Sequence, residues 1–329
     1  TADGEILGIP GRIPDDGEQY LHNQRLGLLV PIDQSQVDVD FLFQVARWSE
    51  FNHHLFVTAS GSKILHTSPG RIEDFAFAVP PVAEQRAIAA TLGVLDYAIA
   101  SKRSAISIAL ELLDAVAESA AMGLPVVAIG DIVRLNRTMT NPSQMDEVSV
   151  HHFSLPAFDD GATPAVVPAA SIKSNKTRIV NDSVLVSRLN PRIDRTWWVS
   201  PDADMAALAS TEFACLEATD SVKLAAVWLA VRDPAFRAEL VTRVTGTSGS
   251  HQRVRPDDLL AIEVMDVRGL AEETIAQVLA LLTFVDQARV ESRALATVRH
   301  VLLPELLSGR LRVRDSSQSV ERHENEEVR

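Results

Sequence analysis

The chain has one cysteine, Cys215, no long apolar run and no excess of basic charge. A single cysteine excludes an internal disulfide and a zinc finger built on cysteines, and it fits a reducing, cytoplasmic location. Without about 20 consecutive apolar residues there is no membrane-spanning helix to expect, and a signal peptide is not expected either. Catalytic signatures are missing too. Asn141-Pro142 and Asn190-Pro191 continue into Ser143 and Arg192, not into the second proline and aromatic of an amino-methyltransferase box. No glycine-rich S-adenosylmethionine loop follows a strand, and Gly246 to Ser250 lacks the Gly-Lys-Ser/Thr ending of a phosphate loop. Pro256-Asp257 with Glu263 starts a nuclease-like pattern, but Met265 stands where its lysine belongs. His53-His54 and His151-His152 are adjacent pairs that point apart and have no third ligand nearby. No nucleophile elbow occurs. The expectation is a non-catalytic chain with no cofactor and no metal.

What the chain does have is two long apolar-striped segments about 190 residues apart, each following a mixed segment. Pro80-Pro81 can open the first. Ile88, Leu95, Lys102, Ala109 and Val116 fall on one heptad position, and Leu92, Ile99, Ile106, Leu113 and Ala120 on the other, so only Lys102 interrupts. Met122-Gly123 is a suitable stop. About 38 helical residues would extend roughly 57 Å, which suits a coiled-coil spacer. The second stripe, Ile275, Val278, Leu282, Val285, Ala296 and Leu303, ends near Ser308-Gly309, is weakened by Arg289 and Ser292, and holds Pro304, where a kink or early end is expected. A shift of 190 residues superimposes Leu92 on Leu282, Asp96 on Asp286, Ala98 on Ala288, Arg103 on Arg293 and Leu113 on Leu303, the mark of an internal duplication.

The segments before these helices read as mixed α/β. In the later one, Val126 to Ile129, Val148 to Phe153, Arg178 to Val180, Ser183 to Leu189, Trp197 to Val199 and Phe213 to Leu216 read as strands, with Asn181-Asp182 as a turn. Lys223 to Leu240 reads as a helix, and Asp257-Asp258 as a helix cap. At strand spacing, one of Trp197 and Trp198 is expected in the core and the other exposed. In the earlier segment Asn23 to Pro31 reads as strand-like and Val39 to Phe51 as helical, and Ser60-Gly61-Ser62 mirrors Ser248-Gly249-Ser250.

Net charge is −13, yet its distribution is uneven. Residues 173–195 carry six bases against Asp182 and Asp194, and residues 243–255 carry three bases and no acid. Two basic patches on an acidic body are compatible with a duplex bound on one face. Two similar units in one chain suit a linear polymer with two half-sites.

Several phrases carry a family resemblance. Val79-Pro80-Pro81-Val82-Ala83-Glu84-Gln85-Arg86-Ala87-Ile88 resembles the opening of the first spacer helix in specificity subunits of type I restriction–modification systems. Leu302-Leu303-Pro304-Glu305-Leu306-Leu307-Ser308-Gly309 resembles the close of the second. Gly246-Thr247-Ser248-Gly249-Ser250-His251-Gln252-Arg253-Val254 is similar to a late loop of their target-recognition domains. The match spans about residues 20–312. It implies an α+β architecture in which mixed α/β target-recognition domains are separated by two long antiparallel coiled-coil helices. It implies a first recognition domain at 1–79, a spacer helix at 80–122, a second recognition domain at 123–268, a second spacer at 269–309 and a polar tail at 310–329. The first recognition segment is much shorter than the second, so an N-terminal truncation is expected. The resemblance further implies double-stranded DNA as ligand, read at a bipartite site, and docking to methyltransferase (M) and restriction (R) subunits. The alternatives left open are a coiled-coil protein scaffold without DNA binding and a stand-alone nuclease or methyltransferase.

Side-chain chemistry names the candidate contacts. Arg and Lys secure phosphates, while Arg, Asn and Gln read base edges. The candidates are Lys173, Lys176, Arg188, Asn190, Arg192 and Arg195, then Ser248, Ser250, His251, Gln252 and Arg253. In the first segment they are Ser60, Ser62, Lys63 and His66.

Overall fold

The computed structural model describes residues 7–61, 65–219, 222–245 and 252–313. Ser62, Lys63, Ser248, Ser250 and His251 lie outside the described residues. The chain divides into two compact units, residues 1–100 with 294–329, and residues 101–293.

The first unit opens with α1 (Val39–Ala46), α2 (Ser49–Thr58) and α3 (Pro69–Glu73), followed by the long helix α4 (Val82–Ala121), whose first half belongs here. Asp38 caps α1 by accepting from the amides of Asp40 and Phe41. The single helix expected over Val39 to Phe51 is in fact two. Trp48 takes an extended backbone, φ −73° and ψ 136°, and buries its ring, which breaks the helical run. Asn23 to Pro31 forms no strand. Leu28, Leu29 and Val30 stay exposed there, since a strand without neighbours leaves its amides and carbonyls unpaired. Gln85, fully buried, fixes the start of α4. Its amide nitrogen donates to the carbonyls of Gln36 and Pro80, each at 2.8 Å, and its oxygen accepts from the Asp38 amide at 2.8 Å.

Among the described residues the second unit contains thirteen short strands and the remaining helices, except that the part of the last helix from Ala294 onward belongs to the first unit. In chain order these are β1 (Val126–Ala128), β2 (Val133–Leu135), β3 (Met139–Thr140), β4 (Ser149–Phe153), α5 (Leu155–Asp159), β5 (Ala165–Pro168), β6 (Lys176–Ile179) and β7 (Ser183–Ser187). Then come β8 (Thr196–Val199), β9 (Ala207–Ala209), β10 (Phe213–Ala218), α6 (Leu224–Arg232), α7 (Pro234–Thr242), β11 (Val244–Thr245), β12 (Arg253–Val254), α8 (Pro256–Leu260), β13 (Glu263–Met265) and α9 (Glu272–Leu307). A four-stranded antiparallel sheet runs β2-β10-β7-β8, and a five-stranded sheet runs β3-β6-β9-β4-β5, in which only β4 and β9 are parallel. The strands flanking Asn181-Asp182 therefore belong to different sheets, and that turn leads from one sheet to the other.

Alternation along the four-stranded sheet explains the core. Val184, Val186, Trp198, Ala214 and Leu216 face α6 and the long helices, while Leu185, Trp197, Val199, Phe213 and Cys215 face the five-stranded sheet. Both faces are covered, so both tryptophans are buried, at 0% and 6% exposure, contrary to the expected division. Burial pushes the Cys215 thiol up to about 11, which keeps it an unreactive thiol. The helix expected over Lys223 to Leu240 is also two helices. Pro234 lacks an amide donor, Asp233 before it is extended, and the Asp233 side chain accepts from the Ala235 amide at 2.8 Å. Asp257 and Asp258 lie in the first turn of α8, whose cap is Arg255, so they favour the helix by charge near its N-terminus and not as caps.

The two long helices pack antiparallel. In the first unit Ile88 and Leu92 share a core with Leu303, Leu306 and Leu307; in the second, Leu113 and Ala117 share one with Ile275, Val278 and Leu282. Lys102, the exception in its stripe, forms an ion pair with Glu291. Pro304 does not end α9 early; the helix continues to Leu307 and stops at Gly309, whose φ of 73° suits glycine.

Candidate nucleic-acid interface

One edge of the second unit brings together residues distant in sequence. After β7 the chain turns along β12. The Val254 amide donates to the Arg188 carbonyl at 3.0 Å, the Asn190 amide donates to the Gln252 carbonyl at 2.9 Å, and Leu189 bridges Arg253. Asn190 holds a left-handed φ of 47°, a conformation asparagine tolerates better than most residues. Backbone pairing of residues 188–190 with 252–254 thus brings parts of both basic windows to one edge, and Arg192 lies on the loop that follows Asn190.

Most of these cations are already engaged. Arg253 makes a two-pronged pair with Glu212, Nε and Nη2 donating at 2.9 and 2.8 Å. This pair holds the Glu212 carboxyl below its ordinary range, and the Arg188 charge acts in the same direction. Arg188 donates to the carbonyls of Thr211 and Val254, and burial lowers its affinity for its proton. Arg195 pairs with Asp159 through Nε and Nη2, at 2.7 and 2.9 Å, and that hydrogen bond lowers the Asp159 pKa. Arg192 is exposed, and no hydrogen bond or ion pair involves it among the described residues. The side-chain oxygen of Asn190 is buried with no hydrogen-bond partner.

The other candidates stand elsewhere. Lys176 is buried at the start of β6. Its ammonium donates to the Ser174 hydroxyl at 2.6 Å and to the carbonyls of Ser174 and Asn175, and burial lowers its pKa. Lys173 is exposed and donates to the Ala170 carbonyl at 3.0 Å. In the first unit Ser60 and His66 form a two-residue bridge, each amide donating to the other's carbonyl, and Arg71 donates to the Ser60 hydroxyl and the His66 carbonyl. His152 has a buried Nε2 without a partner, and burial together with the Lys176 charge lowers its pKa. No group of three or more metal-ligating side chains occurs among the described residues. Nor is any of their helices long and apolar enough to cross a membrane.

Sequence spacing does not reveal the residues that hold this edge together. Glu212 lies 41 positions from Arg253, and Asp159 lies 36 from Arg195. Asp194, on the loop after β7, binds Arg232 and Arg237.

No protein-family model and no curated protein matches the chain. Among solved structures it is similar to the S subunit of a type I restriction–modification system from M. genitalium. The identity is 15%, the match covers 84% of this chain and 74% of that one, and the TM-score is 0.54. The chain shares that S subunit's fold. The HsdS subunit from Thermoanaerobacter tengcongensis aligns at 18% identity over 83% of this chain and 70% of that one, with a TM-score of 0.34. A chain from a study of type I complex assembly aligns at 18% over 85% and 73%, with a TM-score of 0.36. Both superpose too loosely to bear on the fold.

Proposed function

We propose that this chain is a non-catalytic DNA-specificity subunit of the type I restriction–modification kind. Segments 1–79 and 123–268 serve as target-recognition segments, helices 80–122 and 269–309 as spacers, and methyltransferase and restriction subunits dock on the assembled chain. The observation that carries this reading is the backbone pairing of residues 188–190 with 252–254, which joins the two basic windows at one edge of an otherwise acidic chain, with the exposed Arg192 on the adjoining loop. The shared S-subunit fold supports it. Apolar side chains left exposed along the long helices, among them Val94, Tyr97, Ile108, Leu112 and Val301, suit a helix surface that receives a protein partner.

Six phosphate contacts would give a log–log salt slope of about −5. Because Lys176, Arg188, Arg195 and Arg253 are bound to partners within the chain, the slope expected for the exposed Lys173 and Arg192 is about −2. Titration of a fluorescent duplex at several salt concentrations measures it. Arg192→Ala lowers affinity and makes the slope shallower by about 1 without moving the melting temperature. A flat salt response by the unaltered chain rejects DNA binding and leaves the scaffold reading. Turnover of DNA by the purified chain would overturn the non-catalytic assignment.

A further inference from the structure

Arg232, at the end of α6, holds two carboxylates with one guanidinium. Its Nε and Nη2 donate to Asp114 of α4 at 2.7 and 2.5 Å, and its Nη1 donates to Asp194 at 2.6 Å. The side chain is only 16% exposed, and its guanidinium lies 5.9 Å from the centre of the Trp228 ring. Asp194 in turn accepts from the Thr196 hydroxyl at 2.8 Å and from Arg237. Arg237 also donates to the carbonyls of Pro191 and Ile193. The loop from Asn190 to Arg195 is therefore bound through its acid and its backbone by two arginines, while Arg192 in its middle faces solvent. A lysine at 232 could not reproduce this grip, because an ammonium cannot hold one carboxylate by a planar fork and a second with another nitrogen.

We propose that Arg232 is a positioning residue for nucleic-acid binding: it ties the loop carrying Arg192 to helix α4. The inference rests on the DNA reading above. Pre-ordering the loop removes part of the entropy lost when a phosphate binds, and the tie makes the position of α4 and the occupancy of the loop depend on each other.

The test uses the full chain and a random-sequence duplex, with melting curves taken alongside. Arg232→Lys keeps the charge and is expected to weaken binding about tenfold, the coupling seen between residues of one network. The salt slope becomes shallower by up to about 1, as it does for Arg192→Ala, because the loosened loop no longer keeps Arg192 on its phosphate. In that background Arg192→Ala costs little more, since a loose loop already presents Arg192 poorly. Asp194→Asn, which leaves the Arg232–Asp114 pair in place, reproduces the loss and keeps the inference testable if Arg232→Lys does not fold. Unchanged binding in both variants, with Arg192→Ala still weakening it, overturns the positioning role and leaves the DNA reading standing. So does a loss that simply adds to that of Arg192→Ala, the mark of a structural role alone. Failure of the unaltered chain to bind any duplex overturns the reading and the inference together.

Discussion

Asp96 on α4 and Asp286 on α9 occupy the same place in the two copies of the helical stripe, 190 residues apart, yet their carboxyls are pushed in opposite directions. Burial raises both. At Asp96 that effect is outweighed by a hydrogen bond from Arg47, by the charges of Arg299 and Arg47, and by a hydrogen bond from Gln44, so its pKa falls. At Asp286 the charge of Arg289 offsets burial only in part, so the pKa rises. The cause lies in the surrounding residues. The position in α4 that matches Arg299 holds Ala109, and the arginine that matches Arg47, 185 residues later, is Arg232, which turns to Asp114 and Asp194. Even the aromatic rings beside these guanidinium groups correspond, Phe43 under Arg47 and Trp228 under Arg232. The first unit uses its arginine to lock the two long helices around Asp96. The second sends the equivalent arginine to the loop that carries Arg192, and Asp286 keeps a carboxylate that is poorly compensated.

The apolar part of the repeat should respond equally in both units. Leu92 and Leu282 are matched positions with 0% and 1% exposure. Replacing either with alanine is expected to cost about 3 kcal/mol, the usual loss for a buried leucine. Urea unfolding followed by fluorescence reports both units, because Trp48 lies in the first and Trp197, Trp198 and Trp228 in the second. A loss under about 1 kcal/mol in either variant would mean that its helix pair is not packed as described. The charged part should differ. Asp96→Asn leaves two partly buried arginines short of an anion and is expected to cost about 2 kcal/mol at neutral pH. Because the folded pKa of Asp96 lies below its ordinary value, its contribution is present above that value and is lost as pH falls through the folded one. The gap between variant and unaltered chain should therefore close in acid; a gap that persists there would assign the loss to packing.

Sequence periodicity reveals the helices because a heptad stripe is local. Leu92, Leu113, Leu282 and Leu303 lie where the shift of 190 places them, all buried between α4 and α9. Helix breaks are harder to see, since Trp48 and Pro234 end helices whose apolar pattern runs straight through them. The sheets are less legible still. Nothing near Asn181-Asp182 indicates that β6 and β7 belong to different sheets. The basic windows mislead for the same reason. Arg178, Arg195 and Arg253 read as free charge along the chain, but Glu147, Asp159 and Glu212 reach them from other segments. Arg192 kept its exposure because the acid nearest in sequence, Asp194, is held by Arg232 and Arg237.

The smallest effect tests the comparison most sharply. Asp286→Asn removes a carboxylate that burial disfavours, with one arginine charge as its described compensation. A raised folded pKa means that the folded chain takes up a proton more readily than the unfolded one, so the charged form is a penalty at neutral pH that fades as pH falls towards the ordinary value near 3.8. The amide should accordingly raise stability at neutral pH by about 0.5 kcal/mol, the scale of a change away from strong contacts. Below the ordinary carboxylate range variant and unaltered chain should unfold together. Parallel urea titrations at neutral and acid pH would read both values. A destabilised Asp286→Asn chain would show that Arg289 compensates this carboxylate in full, and the contrast with Asp96 would then be one of partners and not of energy.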